Sequence, residues 1–125
     1  MAQKLDENRP IYLQIKEYVE DSIINETLKA GDRVPSTNEF ATFFNINPAT
    51  AAKGVNELVY EGILYKRRGI GMFVTENARQ ILLAKRKEEF YEHYLLPLKD
   101  EAKKLEISNE QLVEMIYREG NELEN

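Results

Sequence analysis

The chain has 125 residues, of which 42% are hydrophobic and 31% charged, proportions typical of a globular protein with room for one compact domain and a small appendage. It contains no cysteine, which excludes a disulfide framework, a thiolate metal site and a cysteine nucleophile and favours a reducing compartment, so we expect a cytoplasmic protein. No stretch approaches the roughly 18 apolar residues that a membrane span needs, and no apolar leader opens the chain, so we expect neither a membrane nor an exported protein.

The formal net charge of −5 is unevenly distributed along the chain. Residues 1–75 carry 9 basic and 10 acidic side chains, whereas residues 76–125 carry 8 and 12. Because the distribution of charge decides whether a protein can approach a polyanion, the acidic total does not exclude a local basic surface in the first part of the chain.

Helical spacing of apolar side chains predicts three helices in the first half. The first runs from Pro10 to about Glu26. The second follows a capping box formed by Ser36 and Glu39 and ends near Phe44. The predicted buried faces are Ile11, Ile15, Tyr18, Val19 and Ile23 in the first helix, Phe40, Phe43 and Phe44 in the second, and Ala51, Val55, Leu58 and Val59 in the third.

The third helix begins almost at once after the second. Asn45 can adopt the left-handed conformation that ends a helix, Asn47 can cap the next one, and Pro48 suits its first position, with a stop at Gly62. Two helices separated by about three residues indicate a helix-turn-helix. The positions predicted to project from it toward a DNA major groove are Pro48, Ala49, Thr50 and Lys53.

The stretch RRGIGMFV, Arg67 to Val74, raises the possibility of a glycine-rich nucleotide loop. Such a loop lies between a strand and a helix, but here two short segments rich in branched and aromatic residues flank the glycines, which indicates a β-hairpin. A hairpin directly after a helix-turn-helix is the wing of a winged helix. Its predicted tip carries Lys66, Arg67 and Arg68 beside glycines, which suits phosphate contact, although a solvated basic turn would have the same composition.

The residues beyond Thr75 predict a long helix around Pro97 and a last helix. The last helix begins at a second capping box, formed by Ser108 and Gln111, and ends at Gly120. Two helices cannot enclose a core alone. Their apolar faces therefore need either the winged domain or a second copy of the chain, and we favour the second copy because a two-fold dimer matches a palindromic operator.

Few residues could support catalysis. His93 is the only histidine, which excludes a multi-histidine metal site, and no serine or threonine stands beside it as a nucleophile. We therefore predict neither an enzyme nor a metal or cofactor protein.

A protein that binds single-stranded nucleic acid would need exposed aromatic platforms, but Phe40, Phe43, Phe44 and Phe73 fall on predicted core faces.

The segments RPIYLQIKEYVEDSI, LKAGDRVPSTNEFA, FNINPATAAKGVNELVYEGIL and KRRGIGMFV together resemble the GntR family of bacterial transcription regulators, in particular its YtrA-like branch. The resemblance covers about residues 9–74. It implies an α+β, mostly α fold, with a winged helix-turn-helix DNA-binding domain over residues 1–75 and a helical dimerisation tail over residues 76–125.

The resemblance also implies a function, that of a homodimeric repressor that binds a palindromic double-stranded DNA operator. Family members often sense metabolites through large C-terminal domains, but this tail is too small for one, so any small-molecule effector, of unknown identity, is expected between the tail helices or at the dimer interface. The alternative is a winged-helix module that binds protein. By similarity, the DNA-facing residues are Ser36, Thr37, Asn38, Asn47, Pro48, Ala49, Thr50, Lys53, Lys66, Arg67, Arg68, Gly69, Ile70 and Gly71. Arg9 and Tyr12 also match the motif, with a structural role as the alternative.

The sequence departs from the family pattern at a few positions. Asn38 stands where a basic residue is usual, Ala49 replaces a commonly polar residue and Ala51 a larger aliphatic one. Gly54 lies inside the recognition helix, where glycine costs about 1 kcal/mol relative to alanine, so we predict close packing against the second helix. Base preference therefore does not follow from the resemblance.

Overall fold

The computed structural model describes residues 5–120. Contacts divide the chain into two compact units that meet between Lys85 and Arg86. The helices of the first unit are α1 (Ile11–Ile24), α2 (Thr37–Phe44) and α3 (Pro48–Tyr60), and its strands are β1 (Arg33–Val34), β2 (Leu64–Arg67) and β3 (Gly71–Val74). Helix α4 (Ala78–Phe90) follows, then a π-helical turn (Tyr91–Leu95), α5 (Leu96–Lys104) and α6 (Asn109–Tyr117).

The predicted fold class is confirmed, since residues 5–120 form mainly helices and one small antiparallel sheet. The strand order is β1-β3-β2, so β3 lies in the centre of the sheet. Strand β1 was not predicted because its two residues are too short to show an alternating pattern. The hairpin was predicted, and its register pairs Leu64 with Val74 and Arg67 with Gly71.

The core of the first unit lies between α1, α2, α3 and the inner face of the sheet. Fully buried side chains include Ile15, Val19 and Ile23 of α1, Phe40 of α2, and Val55 and Leu58 of α3. Ala78 and Leu82 of α4 belong to the same cluster. At about 25 cal/mol for each Å² of apolar surface removed from water, this cluster is the main source of stability.

Some predicted core positions lie at its edge. Phe43 is 40% exposed, because Phe40 and Phe44, one helical turn apart, occupy the inward face of α2. Its ring packs 4.9 Å from that of Phe44 and 6.3 Å from that of Tyr18, between ring centroids. Tyr18, another predicted core residue, is itself 38% exposed. The aromatic residues of α1 and α2 therefore extend from the core to the surface.

The predicted helix starts and stops agree closely with the structure. Ser36 and Glu39 form both hydrogen bonds of a capping box, and Ser108 and Gln111 form the second one. Asn45 ends α2 in the left-handed conformation, and Asn47 caps α3. Helix α6 ends at Tyr117, earlier than the predicted stop at Gly120.

The helix predicted around Pro97 contains a π-helical turn. Proline has no N–H to donate, and its ring clashes with the carbonyl four residues earlier, which here is that of His93 within the turn. The π-helical turn lies directly before this proline, and both features are places where a helix departs from regular α-geometry. None of the helices within residues 5–120 is long and apolar enough to cross a membrane.

Gly54 is explained by helix α1, so the prediction that it packs against the second helix was wrong. A Cβ atom at this position would lie 2.5 Å from the backbone oxygen of Tyr12 and 3.4 Å from Cβ of Ile15. Both residues belong to α1, and a backbone oxygen cannot move aside as a side chain can. Glycine therefore allows α1 and α3 to approach closely.

We expect Gly54→Ala to lower the free energy of unfolding by about 2 kcal/mol, because overpacking against backbone outweighs the better helix propensity of alanine. Chemical denaturation of the full chain measures the change. The control is Asn56→Ala, at an exposed position of the same helix, which should change stability by less than about 0.5 kcal/mol. A gain in stability for Gly54→Ala would contradict the close approach.

Candidate nucleic-acid interface

The start of α2 presents polar groups at the surface. The Ser36 hydroxyl oxygen accepts from the backbone N–H of Glu39 at 3.0 Å, and the Ser36 N–H donates to Oε1 of Glu39 at 2.8 Å. The hydroxyl still carries a hydrogen that it can donate to a phosphate oxygen. Thr37 is partly buried and Asn38 is exposed. This helix start therefore offers short polar donors at a fixed position.

The start of α3 presents small side chains at the surface. Asn47, Pro48 and Ala49 are exposed and Thr50 is partly buried. Oδ1 of Asn47 accepts from the backbone N–H of Ala49 at 2.7 Å, so the side-chain NH2 group remains as a donor. Because no bulky residue stands in this first turn, another surface can come close to it.

Lys53, one turn further along α3, is held by an aromatic ring. Its Nζ lies 3.9 Å from the ring centroid of Tyr12 in α1, a cation–π contact. Such a contact at an exposed site contributes about 0.5–1 kcal/mol, so it orients the ammonium group without burying it. Tyr12 thus has a structural role, as does Arg9, whose Nη2 donates to both carboxylate oxygens of Glu17 at 2.7 and 2.8 Å.

Two acidic residues lie at the end of α3: Glu57 in its last turn and Glu61 at its C-cap. Glu57 and Glu61 both face Lys16 of α1, with 3.7 Å between Nζ of Lys16 and Oε1 of Glu57 and a direct hydrogen bond to Glu61. Burial alone would lower the pKa of Lys16, but the hydrogen bond and charge of Glu61 and the charges of Glu20 and Glu57 outweigh it and raise that pKa. Both acidic residues therefore have a buried cationic partner. The exposed first turns of α3 carry no acidic residue.

The hairpin ends in a tight turn from Arg67 to Ile70, closed by a 2.9 Å backbone hydrogen bond between these two residues. Gly69 has a φ of +77° in this turn, a conformation that favours glycine. Arg68, Gly69 and Ile70 are exposed. Of the three predicted tip cations, Arg68 alone lies between the two strands, whereas Lys66 and Arg67 are the last residues of β2.

Lys66 and Arg67 point to opposite faces of the sheet, since successive residues of a strand alternate. Lys66 pairs with Met72, whereas Arg67 shares the outer face with Tyr65 and Phe73. The guanidinium carbon of Arg67 lies 5.5 Å from the Phe73 ring centroid, and this ring stacks on Tyr65 at 5.7 Å. The prediction that Phe73 lies on a core face was wrong, because Val74 and Met72 take the inner face.

Arg33 of β1 belongs to the same outer face and was not predicted. It pairs with Phe73 in the sheet, and its Nη1 lies 3.6 Å from Oε1 of Glu39. It therefore joins the wing to the start of α2. Its basic character was visible in the sequence, but its place beside the wing depends on the unpredicted strand β1.

The predicted site residues thus occupy three surface segments of the first unit. The starts of α2 and α3 lie on helices that pack together, and Arg33 joins the hairpin to α2. His93 lies outside these segments, exposed on the π-helical turn, with Nδ1 3.9 Å from Oε2 of Glu89. No group of three or more potential metal-ligating side chains occurs among the residues that the structure describes.

We expect the capping box of α2 to weaken in acid. Hydrogen bonds from Ser36, with a smaller contribution from Arg33, lower the pKa of Glu39. A carboxyl group whose pKa is lowered by folding stabilises the protein above its ordinary pKa, about 4.3, and loses that effect as the pH falls through the folded-state value.

The measurement is an NMR titration of the Glu39 carboxyl group, together with unfolding curves of the natural chain and Glu39→Gln between about pH 6 and pH 2. Glutamine keeps the capping geometry but does not titrate, so any stability advantage of the natural chain should shrink with falling pH. A Glu39 pKa at or above the ordinary value would contradict the hydrogen-bonded arrangement.

Comparison with known proteins places these features in a family. The family described as "Bacterial regulatory proteins, gntR family" matches residues 11–74. The HTH-type transcriptional repressor YtrA of Bacillus subtilis is 39% identical over 74 residues, which are 59% of this chain and 57% of that protein. The HTH-type transcriptional regulator YhcF of the same organism is 30% identical over 122 residues, 96% of this chain and 99% of that protein.

Solved structures agree with these relatives. A GntR family transcriptional regulator from Listeria monocytogenes superposes with a TM-score of 0.76 at 31% identity, over 90% of this chain and 96% of that one. The AraR DNA-binding domain in complex with operator ORX1 superposes with a TM-score of 0.57 at 28% identity, over 59% of this chain and 96% of that one. The chain therefore belongs to the GntR family of bacterial regulatory proteins, whose members are transcription regulators and not enzymes.

Proposed function

We propose that this chain is a sequence-specific double-stranded DNA-binding repressor that acts as a homodimer on a palindromic operator. The observation that carries the proposal is the presence of three polar or basic segments, exposed or partly exposed, at the surface of the first unit. They are the start of α2 (residues 36–38), the start of α3 (residues 47–50 and Lys53) and the wing (residues 66–71).

In this proposal, α3 reads the bases. Its first turn carries the methyl group of Ala49, the hydroxyl and methyl groups of Thr50 and the amide of Asn47, while Lys53 follows one turn later. Small side chains allow a helix end to enter a major groove, where a methyl group can contact thymine and a hydroxyl or amide can bond base edges. The buried opposite side of α3, from Ala51 to Leu58, fixes the direction in which these groups project.

The wing supplies contacts to the phosphate backbone. Arg67 and Arg68 carry forked guanidinium donors that match phosphate oxygens, and Gly69 lets the backbone approach without a side chain in between. Ser36 adds a hydroxyl donor at the start of α2. The similarity to the AraR DNA-binding domain, which was solved with an operator, supports DNA binding by this unit.

We divide the chain by function into a DNA-binding part, residues 1–75, and a dimerisation part, residues 76–125. The proposed dimer contact lies in the second compact unit. Large apolar side chains of α5 and α6 remain exposed, including Ile116 at 73% and Tyr117 at 82%. Exposed apolar side chains of this size favour a protein contact. A two-fold dimer places two recognition helices about one helical turn of DNA apart, which gives the palindromic symmetry of the operator.

We expect Arg67→Ala and Thr50→Ala to affect DNA binding differently. The duplex is first obtained by selection from random DNA with the full chain. Without the Arg67 guanidinium, binding to all duplexes should weaken alike, and the slope of log affinity against log salt should become shallower by about 0.9 for each phosphate that is no longer neutralised. Without the Thr50 hydroxyl, the preference among operator variants should change, at about 1–3 kcal/mol for the base concerned.

Fluorescence anisotropy at several salt concentrations measures both effects. Arg79→Ala, an exposed arginine of α4 outside the three segments, is the control and should leave both readouts unchanged. If the Arg67 and Thr50 variants behaved alike across operator variants, the division between backbone and base contacts would be wrong. If the natural chain selected no duplex, the proposed function itself would fail.

We expect Ile116→Glu to weaken the dimer, because it places a charge in the apolar surface of α6. Sedimentation equilibrium of the full chain should show a dissociation constant raised at least about tenfold, which corresponds to 1.4 kcal/mol. Glu110→Gln, an exposed polar position of the same helix, is the control and should leave the dimer intact. A monomeric natural chain, or an unaffected Ile116→Glu dimer, would contradict the role of α6.

A further inference from the structure

We propose that Arg33 of β1 is a further phosphate-contacting residue, which extends the basic surface of the wing onto the third strand of the sheet. The inference rests on the proposed function, because it takes the starts of α2 and α3 and the wing as the DNA-facing surface. It assigns a role to a residue that has no place in the helix-turn-helix or in the hairpin.

The register of the sheet places Arg33 on the same face as the wing arginine Arg67, across the central strand β3. Arg33 pairs with Phe73, Phe73 pairs with Tyr65, and Gly71 pairs with Arg67, so all five residues lie on one face. A Cβ atom at Gly71 would lie 3.0 Å from Nε of Arg33 and 3.7 Å from its Cδ and Cζ. The side chain of Arg33 thus passes over the bare backbone of Gly71, and two arginines flank this glycine.

Arg33 also lies between two of the proposed DNA-binding segments. On one side it contacts Gly71 of the wing, and on the other its Nη1 lies 3.6 Å from Oε1 of Glu39. Glu39 is part of the capping box of Ser36, at the start of α2. The guanidinium group of Arg33 therefore lies between the wing and the start of α2, two segments that we propose to contact the phosphate backbone.

The guanidinium group is available for a phosphate. The side chain of Arg33 is 49% exposed and that of Glu39 is 58% exposed, and an ion pair between exposed groups contributes little to stability. The carboxylate of Glu39 keeps its bond from the N–H of Ser36 when Arg33 turns away. A phosphate can therefore replace Glu39 and accept the two parallel hydrogen bonds that a guanidinium offers.

Three other cations of the first unit, Arg9, Arg79 and Lys16, are held more firmly. Arg9 makes two short hydrogen bonds to Glu17, and Nε of Arg79 donates to the backbone oxygen of Ile24 at 3.0 Å. Lys16 is buried among carboxylates. Arg33 differs from these residues because its ion pair with a carboxylate is long, at 3.6 Å, and because it lies beside the wing.

The test is the salt dependence of duplex binding by the full chain, with the duplex selected as above. Arg33→Gln should make the slope of log affinity against log salt shallower by about 0.9 for each phosphate that is no longer neutralised, hence by about 2 for a dimer. Arg33→Lys keeps a cation and should retain most of the slope. Arg79→Gln is the matched control and should bind like the natural chain.

The same substitution made in the Glu39→Gln variant distinguishes a phosphate contact of Arg33 from an effect that Arg33 exerts only by neutralising the charge of Glu39. Adding Arg33→Gln to Glu39→Gln should reduce the slope by the same amount as in the natural chain. Full recovery of affinity and slope in that double variant would overturn the inference, as would a natural slope in Arg33→Gln alone. Either result would leave the proposed DNA-binding function intact, provided that the affinity of the natural chain for the duplex falls steeply with salt. A natural chain that binds no duplex would instead contradict both the proposed function and the role of Arg33.

Discussion

The close approach of α1 and α3 at Gly54 is the constraint on which the rest of the winged unit depends. With no side chain at this position, the backbone of α3 lies against the Tyr12 carbonyl and Ile15 of α1. Val55 and Leu58 then enter the core, and the opposite side of α3 faces outward. The position of α3 is therefore set by backbone packing, which allows little adjustment.

The same contact between α1 and α3 organises the charges. Lys16 of α1 is nearly buried and faces the acidic last turns of α3 through Glu57 and Glu61. Lys85 lies 3.8 Å from Glu61 and 3.6 Å from Glu20, so a second cation joins this cluster. A chain with a net charge of −5 can thus present a helix, α3, whose exposed start is not acidic, because the acids at its far end are paired with cations of other helices.

Much of the fold could be predicted because its signals are local. A capping box needs residues three apart, and a left-handed Asn45 or a leading Pro48 acts within its own turn. The errors concern contacts between elements far apart in sequence. Strand β1 exists only through its pairing with β3, Phe73 faces outward because of that sheet's register, and Gly54 is explained by α1, about forty residues earlier. For the same reason Arg33 could not be predicted from the sequence, although its neighbours were identified.

We have proposed that the starts of α2 and α3 and the wing form one DNA-facing surface, and NMR mapping of the full chain with its selected duplex tests this proposal most directly. We expect the largest amide shift changes to fall on residues 36–38, 47–53 and 67–71, with Arg33 among the side chains affected. Largest changes on the exposed aromatic edge around Tyr18 and Phe43, with these segments unperturbed, would contradict the proposal.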